Sequence, residues 1–290
     1  MFMKKLNNRL EKLKPCLMCP ECGGKLVFRS DEVECSQCLA LYPIKGDKIY
    51  FKSLPTKSED AQDKFKEKLK RLLGKYYYTI GVNILAPNFP FNYSREVENY
   101  LTLDEQIVVD IGSGNNRIHE QIICLDLFDY EAVDIVCDVD KLPFKKGSID
   151  AFVTRSMLEH VPNPEAVVNQ FYQMTRDGGI GLHLIPFLFP FHASPYDFHR
   201  YTNKGVGVLF NQWKIIHQSN RTGPISLLLN IVIEFFSILM SFGNNQIKAL
   251  LYFAFCVLLF PIKYLDVFFV NRNRFMNLAP TILTVVKKNI

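Results

Sequence analysis

Two features of the chain carry residue types able to do chemistry at spacings that chemistry requires. Cys19-x2-Cys22 and Cys35-x2-Cys38 are paired knuckles with a short segment between them. Such spacing suits tetrahedral thiolate coordination of zinc around a hairpin, and four thiolates leave no open position, so the metal would be structural. Cys16 stands close enough to replace Cys19, although a knuckle starting there fits the pattern less well. The second feature is the run VVDIGSGNN, Val108 to Asn116. Ile107, Val108, Val109 and Ile111 favour a buried strand, which delivers Asp110 to its carboxyl end, where open α/β sheets bind ligands. Gly112 and Gly114 allow a tight turn and close backbone approach to a nucleotide-like cofactor. A dinucleotide fingerprint would place its third glycine where Arg117 stands, and here an acid precedes the glycines. That arrangement favours a cationic amino-acid moiety over a pyrophosphate.

The turn, with the hundred residues after it, resembles motif I and its successors in the class I S-adenosylmethionine-dependent methyltransferases of type 11. The resemblance implies cofactor-binding roles for Asp110, Gly112, Gly114, Asp126, Asp138 and Leu142. Asp126, ending QIICLD, would accept both ribose hydroxyls, and Asp138, ending VDIVCD, would lie near the adenine amino group. Leu142 and Phe144 of DKLPF would offer apolar surface to the adenine, and Ile149 to Val153 would form the fourth strand. Asn116 replaces the last glycine of the commoner loop, a change tolerable in the left-handed region. The stretch from Asp126 to Val133 is too short for the usual helix. The tail of the cysteine segment, ending YPI and GD, resembles a small zinc-ribbon family fused to or partnering methyltransferases.

The loop PFLFPFHASPYDFHRYT follows the expected fifth strand and so should overlie the same crevice. If the acceptor is a hydroxyl, His160 or His192 could take its proton, with Asp197 orienting an imidazole and Arg200 binding an anionic group. Alternatively, Asp197 and Arg200 simply pair and lock the loop. His119, on a helix after the glycine turn, and His217, on the sixth strand, are expected to be structural.

Asn163 and Pro164 give a capped helix start before EAVVNQFYQM, and the glycines of TRDGG stop it. From Gly223 to Val270 the chain is overwhelmingly apolar. Ser226, Asn230, Glu234, Ser237 and Ser241 fall on one helical stripe, leaving a very wide apolar arc. GNN breaks the run, and a second apolar stretch is interrupted by Pro261 and carries Lys263 and Asp266, expected to need a kink or a buried charge pair. TILTVVKK should return to the sheet as its last strand. Both ends of the hairpin would then lie on one side, as a monotopic membrane element requires, with Arg221, Arg272 and Arg274 toward a cytoplasmic face. A lid or dimer interface is the alternative.

With 290 residues, 48% hydrophobic, the chain can hold one sizeable domain and a small appended one. The net charge of +5 is modest, and the basic helices MFMKKLNNRLEKLK and DKFKEKLKRLLGK read as solvated faces. Cys124 and Cys137 read as buried apolar residues, and with no signal-peptide pattern a reducing, cytoplasmic compartment is expected. The predicted organisation is a zinc ribbon with a basic helix (1–52), a linker and helical segment (53–92), and a doubly wound Rossmann-like α/β methyltransferase domain (93–290) containing an apolar hairpin (224–270). The ribbon is expected to unfold, when Cys35 is changed to Ser, without taking the main domain with it. The expected function is methyl transfer from S-adenosyl-L-methionine to an amphipathic or lipid-linked small molecule or glycan at a membrane surface. RNA methylation, through the ribbon and residues 64–75, and a non-catalytic zinc-binding scaffold are the alternatives.

Overall fold

In the computed structural model, residues 7–52, 74, 76, 80, 81, 84–192 and 196–289 are described. Residues 64–73, central to the RNA alternative, lie outside them. Val- and Ile-rich strands β5 (Val108–Ile111), β6 (Ile123–Asp126) and β8 (Ile149–Arg155) form the buried centre of a sheet, because parallel strands covered on both faces need apolar side chains at nearly every position. With β7 (Ile135–Val136), β9 (Thr175–Pro186), β10 (Lys214–Asn220) and β11 (Thr281–Lys287), they run in the order β7-β6-β5-β8-β9-β11-β10. β5 pairs in parallel with both β6 and β8, so the strand order reverses there and opens a crevice at the carboxyl ends. The expected last strand, β11, inserts antiparallel between β9 and β10.

The amino-terminal strands β1 (Leu26–Phe28), β2 (Glu32–Cys35), β3 (Leu41–Lys45) and β4 (Lys48–Tyr50) extend this sheet. β4 runs parallel to β7, with Ile49 opposite Ile135 and Tyr50 opposite Val136. The ribbon is therefore hydrogen-bonded to the main sheet as well as joined to it through the chain. Its approach segment is equally committed. In α1 (Asn8–Leu13), Leu10 and Leu13 are fully buried with Val109 and Ile111, and Met18 N–H and Lys145 N–H bond Pro143 O and Cys16 O at 2.9 and 2.8 Å. The described part of the basic first helix is thus amphipathic, burying Leu10 and Leu13 on one face while Asn8 and Lys12 stay exposed on the other.

The side chains of β5 alternate: Val109 and Ile111 join that core, while Val108 joins Tyr93, Val97 and Val153 on the other face. Tyr93 opens α2 (Tyr93–Glu98), and its hydroxyl donates to Thr154 O or Leu182 O at 3.1 and 3.0 Å. The helix α3 (Pro164–Met174) begins as expected, with Asn163 capping Ala166 N–H, and passes directly into β9 at Thr175. The short stretch between β6 and β7 carries no helix, also as expected. The connection from β5 to β6 has none either, so His119 lies in a turn segment and not on a helix. Buried Asp134 compensates: it pairs with Arg9 and Arg117, each at 2.9 Å, and accepts the Cys124 N–H. Arg117 also donates to Ile122 O and Ala132 O. The residue standing in for a third glycine is a staple for a crossover without a helix.

A short α4 (Asn203–Leu209) precedes β10. After β10 the apolar hairpin forms from α5 (Gly223–Met240) and α6 (Asn245–Leu259), which continues as a 3-10 helix over Phe260–Phe268. The change of geometry falls at Pro261, whose missing N–H cannot continue the α ladder. Entry and exit meet: Asn271 N–H donates to Asn220 O at 2.9 Å and Arg221 to the Asn271 side chain at 2.7 Å. The polar stripe faces inward. Ser226, Asn230, Ser237 and Ser241 are buried, whereas Leu228, Phe235, Leu239, Phe242, Leu258 and Phe268 are exposed. Lys263 and Asp266 do not pair with each other; of the two expected alternatives, a kink or a charge pair, the change of helix geometry at Pro261 is the one present. Lys263 donates to Ile84 O and Ala86 O, and Asp266 caps α5 through Ile225 N–H, Ser226 N–H and the Ser226 hydroxyl.

Candidate active site and zinc ribbon

The turn after β5 is organised by β6. Gly112 and Ser113 N–H bond Leu125 O, while Asp126 accepts Gly114 N–H at 2.8 Å and Phe128 N–H at 2.9 Å. Gly112 has φ +71°, and a Cβ there would lie 2.4 Å from Met157 Cγ, so only glycine fits. Asn116 is not in the left-handed region. Its replacement of a glycine therefore carries no backbone strain. Ser156, at the end of β8, does adopt a positive φ of 50°, turning Met157 onto Gly112.

Beside this turn lies a cavity of about 230 Å³ lined by Gly112, Gly114, Asp126, Asp138, Met157 and His160, with Leu127, Phe128 and Val139 among its apolar walls. Four expected cofactor residues, Gly112, Gly114, Asp126 and Asp138, thus converge. Leu142 does not: it is packed in the core with Leu17 and Phe144, because the ribbon's approach segment pairs along residues 143–145. Val139 supplies cavity wall in its place. Asp110 is fully buried, and burial pushes its carboxyl up to about 6 against the pull of Arg155. Arg155 Nη2 reaches Asp110 Oδ2 at 3.1 Å and also Ser113 O and Asn116 O, cross-bracing the turn. Asp110 Oδ1 has no hydrogen-bond partner. A buried carboxylate oxygen left unpaired in this way fits a cationic amino-acid group. Burial also pushes Asp126 upward, partly offset by the N–H bonds of Phe128 and Gly114.

Asp138 is tied down by a residue that the sequence did not advertise. Lys52, just beyond β4, forms an ion pair with it. Burial raises the Asp138 carboxyl, but Lys52 and the Asp140 N–H outweigh this and hold it below the usual range.

The loop after β9 departs from its expected roles. Asp197 and Arg200 form a two-pronged ion pair, and Arg200 also donates to Phe189 O, Pro190 O and His199 O. The guanidinium is consumed in locking the loop and is not the expected anion binder. Asp197 accepts the His192 backbone N–H at 2.8 Å, but its carboxylate lies 3.6 Å from His192 Nδ1, so it fixes the loop without bonding the imidazole. His160 and His192 do come together, with ring centroids 5.1 Å apart. Between them is Glu159, fully buried and missed by sequence reasoning.

In the ribbon, the sulfurs of Cys19, Cys22, Cys35 and Cys38 lie within 4.8 Å of one another, with Cys19 to Cys38 at 3.6 Å and Cys22 to Cys35 at 3.5 Å. Zn–S bonds of about 2.3 Å at tetrahedral angles separate sulfurs by about 3.8 Å, so the four fit zinc. The Cys38 and Gln37 N–H groups help draw Cys35 down to about 6; Cys38, despite the Ala40 N–H, is pushed up to about 12 by Cys22 and Cys35. Four sulfurs this close need a cation to be thiolates together. Cys16 is elsewhere, its thiol directed at Ser148 O.

The strand order, the carboxyl-end crevice and the glycine turn define a doubly wound α/β fold with a nucleotide-type ligand site. Residues 109–182, within that sheet, match the family described as Methyltransferase domain. In structure it is similar to phosphoethanolamine N-methyltransferase 2 of Haemonchus contortus, solved with S-adenosyl-L-methionine, at 14% identity over 78% of this chain and 60% of that one, TM-score 0.46. It is also similar to an S-adenosylmethionine-dependent methyltransferase of Mesorhizobium loti, at 13% identity over 68% of this chain and 98% of that one, TM-score 0.42. No curated protein matches.

Proposed function

We propose that the protein transfers a methyl group from S-adenosyl-L-methionine to an amphipathic or lipid-linked acceptor at a membrane surface, with structural zinc in its ribbon. The observation that carries the cofactor reading is the convergence of Gly112, Gly114, Asp126 and Asp138 on one cavity at the carboxyl ends of β5 to β7. The unpaired Asp110 oxygen supports it, offering an acceptor to the cofactor's cationic amino-acid part. Gly114 and Asp126 would hold the ribose side, and Val139 and Phe128 the base. When bound, the cofactor supplies an electrophilic methyl; the chain positions it and excludes water, contributions that weigh heavily in a displacement reaction.

The membrane reading is supported by the apolar hairpin. Leu227, Leu229 and Ile233 are buried beside Ser226, Asn230 and Ser237, yet a wide arc of Leu228, Phe235, Phe236, Ile238 and Leu239 still faces outward, more apolar surface than a helix docked on a water-exposed enzyme leaves open. Two stretches, Gly223–Met240 and Asn245–Phe268, are long and apolar enough to cross a bilayer. Their joined ends favour a hairpin that enters and leaves on one side. Calorimetric titration with S-adenosyl-L-methionine, followed by flotation of the protein with anionic vesicles, tests both halves. A search for unmethylated lipids or lipid-linked glycans in a deletion strain then identifies the acceptor. No binding of S-adenosyl-L-methionine would overturn the reading.

A further inference from the structure

Glu159 is the strangest charge in the molecule. It has no exposed surface, and neither carboxylate oxygen has a hydrogen-bond partner. An uncompensated buried carboxylate is strongly destabilising, yet two imidazoles approach it: His160 Nε2 and His192 Nε2 each lie 3.6 Å from Glu159 Oε1.

The other ring nitrogens decide what those imidazoles offer. His160 Nδ1 contacts Tyr196 O, and His192 Nδ1 lies 3.1 Å from Pro190 O. A carbonyl only accepts, so both Nδ1 atoms carry the proton and both Nε2 atoms present lone pairs. Arg200 Nη2 also comes within 3.4 Å of His192 Nδ1, but it is directed to Asp197 at 2.6 Å and to Pro190 O at 3.1 Å. Three acceptors therefore face one another with no donor among them. A shared proton would draw nitrogen and oxygen to about 2.7–2.9 Å. Ligands about 2.1 Å from a common metal at tetrahedral angles would stand about 3.4 Å apart, close to what is seen.

We propose that Glu159, His160 and His192 hold a divalent first-row transition-metal ion at the wall of the cofactor cavity, distinct from the ribbon site. The three ligand atoms lie within 4.8 Å of one another. Both histidines donate their remaining N–H to a backbone carbonyl, the usual way a ligating imidazole is oriented. The Asp197–Arg200 pair and the Asp197 bond to His192 N–H hold the loop that brings His192 in, which assigns those two residues a positioning role. Two histidines and one carboxylate leave a coordination position open. His160 also lines the cavity, so an acceptor hydroxyl or thiol could bind the ion there. That last role rests on the methyltransferase reading, whereas the metal site does not.

Protein with its ribbon saturated with zinc is titrated with Co²⁺ and, separately, with Zn²⁺. One additional ion per chain is expected, with cobalt d–d bands that lack thiolate charge transfer. Glu159→Gln and His192→Ala should each weaken this second site at least about 100-fold, while retaining the ribbon zinc. Thermal unfolding controls for folding: further Zn²⁺ should raise the Tm of the wild type and not that of Glu159→Gln, whose Tm with only the ribbon filled should equal or exceed the wild-type value. Saturation at one ion per chain, or a second site that survives both substitutions, would overturn the proposal. Cofactor titration of the same samples separates the two readings, since metal binding without S-adenosyl-L-methionine binding refutes only the methyltransferase reading.

Discussion

Lys52 and Asp138 join the ribbon to the cofactor cavity by an ion pair at adjacent strand ends. β4 lies against β7 and carries the lysine to the rim, so the four-cysteine cluster is linked, through three short strands, to a carboxylate expected beside the cofactor base. Zinc removal by a chelator should therefore weaken S-adenosyl-L-methionine binding by about tenfold, a change of about 1.4 kcal/mol, and lower the Tm of the whole chain in one transition. Lys52→Met isolates the ion pair from the zinc and should weaken binding by about half that free energy. Unchanged affinity in the chelated protein would show that the ribbon only decorates the sheet edge.

Gly112→Val should abolish cofactor binding. The valine would have to adopt a positive φ while displacing Met157, which lines the same cavity. In Asp126→Ala the turn loses the acceptor for Gly114 and Phe128 N–H, and a cost of about 1.5–3 kcal/mol corresponds to roughly tenfold to hundredfold in affinity. Calorimetry, with far-ultraviolet circular dichroism to verify folding, measures both.

His183 is fully buried between Phe171 and Phe210, and its Nδ1 lies 2.9 Å from the Thr154 hydroxyl. Burial pushes its pKa down to about 3, while an imidazole in the unfolded chain titrates near 6.5. The unfolded state thus binds the extra proton between those values, and stability present at neutral pH is lost as pH falls below about 6.5. The loss at pH 5 should be about 2 kcal/mol from this residue. Urea unfolding at pH 7 and pH 5 checks it, and His183→Leu should remove that part of the pH dependence.

Replacing Leu228, Phe235 and Leu239 together by Gln should release the protein from membranes without weakening cofactor binding. These side chains point away from the body of the protein, and inserting each into lipid is favourable by about 1.5–3 kcal/mol. Vesicle co-sedimentation before and after the triple change is the measurement. Undiminished sedimentation would favour a protein–protein contact on this face.

Legibility followed sequence distance. The cysteine knuckles, the strand ending in Asp110, the glycine turn, the Asn163 cap and the return of β11 could all be read from local spacing, because each is set by neighbours a few residues away. Leu142 was misread because what covers it, the segment around Leu17, lies about 125 residues earlier in the chain. Lys52 was invisible for the same reason, since only the pairing of β4 with β7 brings it to Asp138. Glu159 was hidden differently: the sequence shows it next to His160, but nothing local says that it is buried without a partner. Arg200 was read as a possible anion binder because the carbonyls that consume its donors depend on the path of the loop.

The position of β11 sets an order of assembly. Among the described residues β10 is an edge strand whose only sheet neighbour is β11, and β11 is made some 60 residues later, after both apolar helices. At about 5–20 residues per second, a translating ribosome leaves β10 without a ladder partner for several seconds while the most lipid-seeking part of the chain is already emerging. The hairpin thus has the opportunity to find the bilayer before the sheet is complete. On the proposed membrane reading, closure of the sheet would then take place on the bilayer surface, with β11 entering last between β9 and β10.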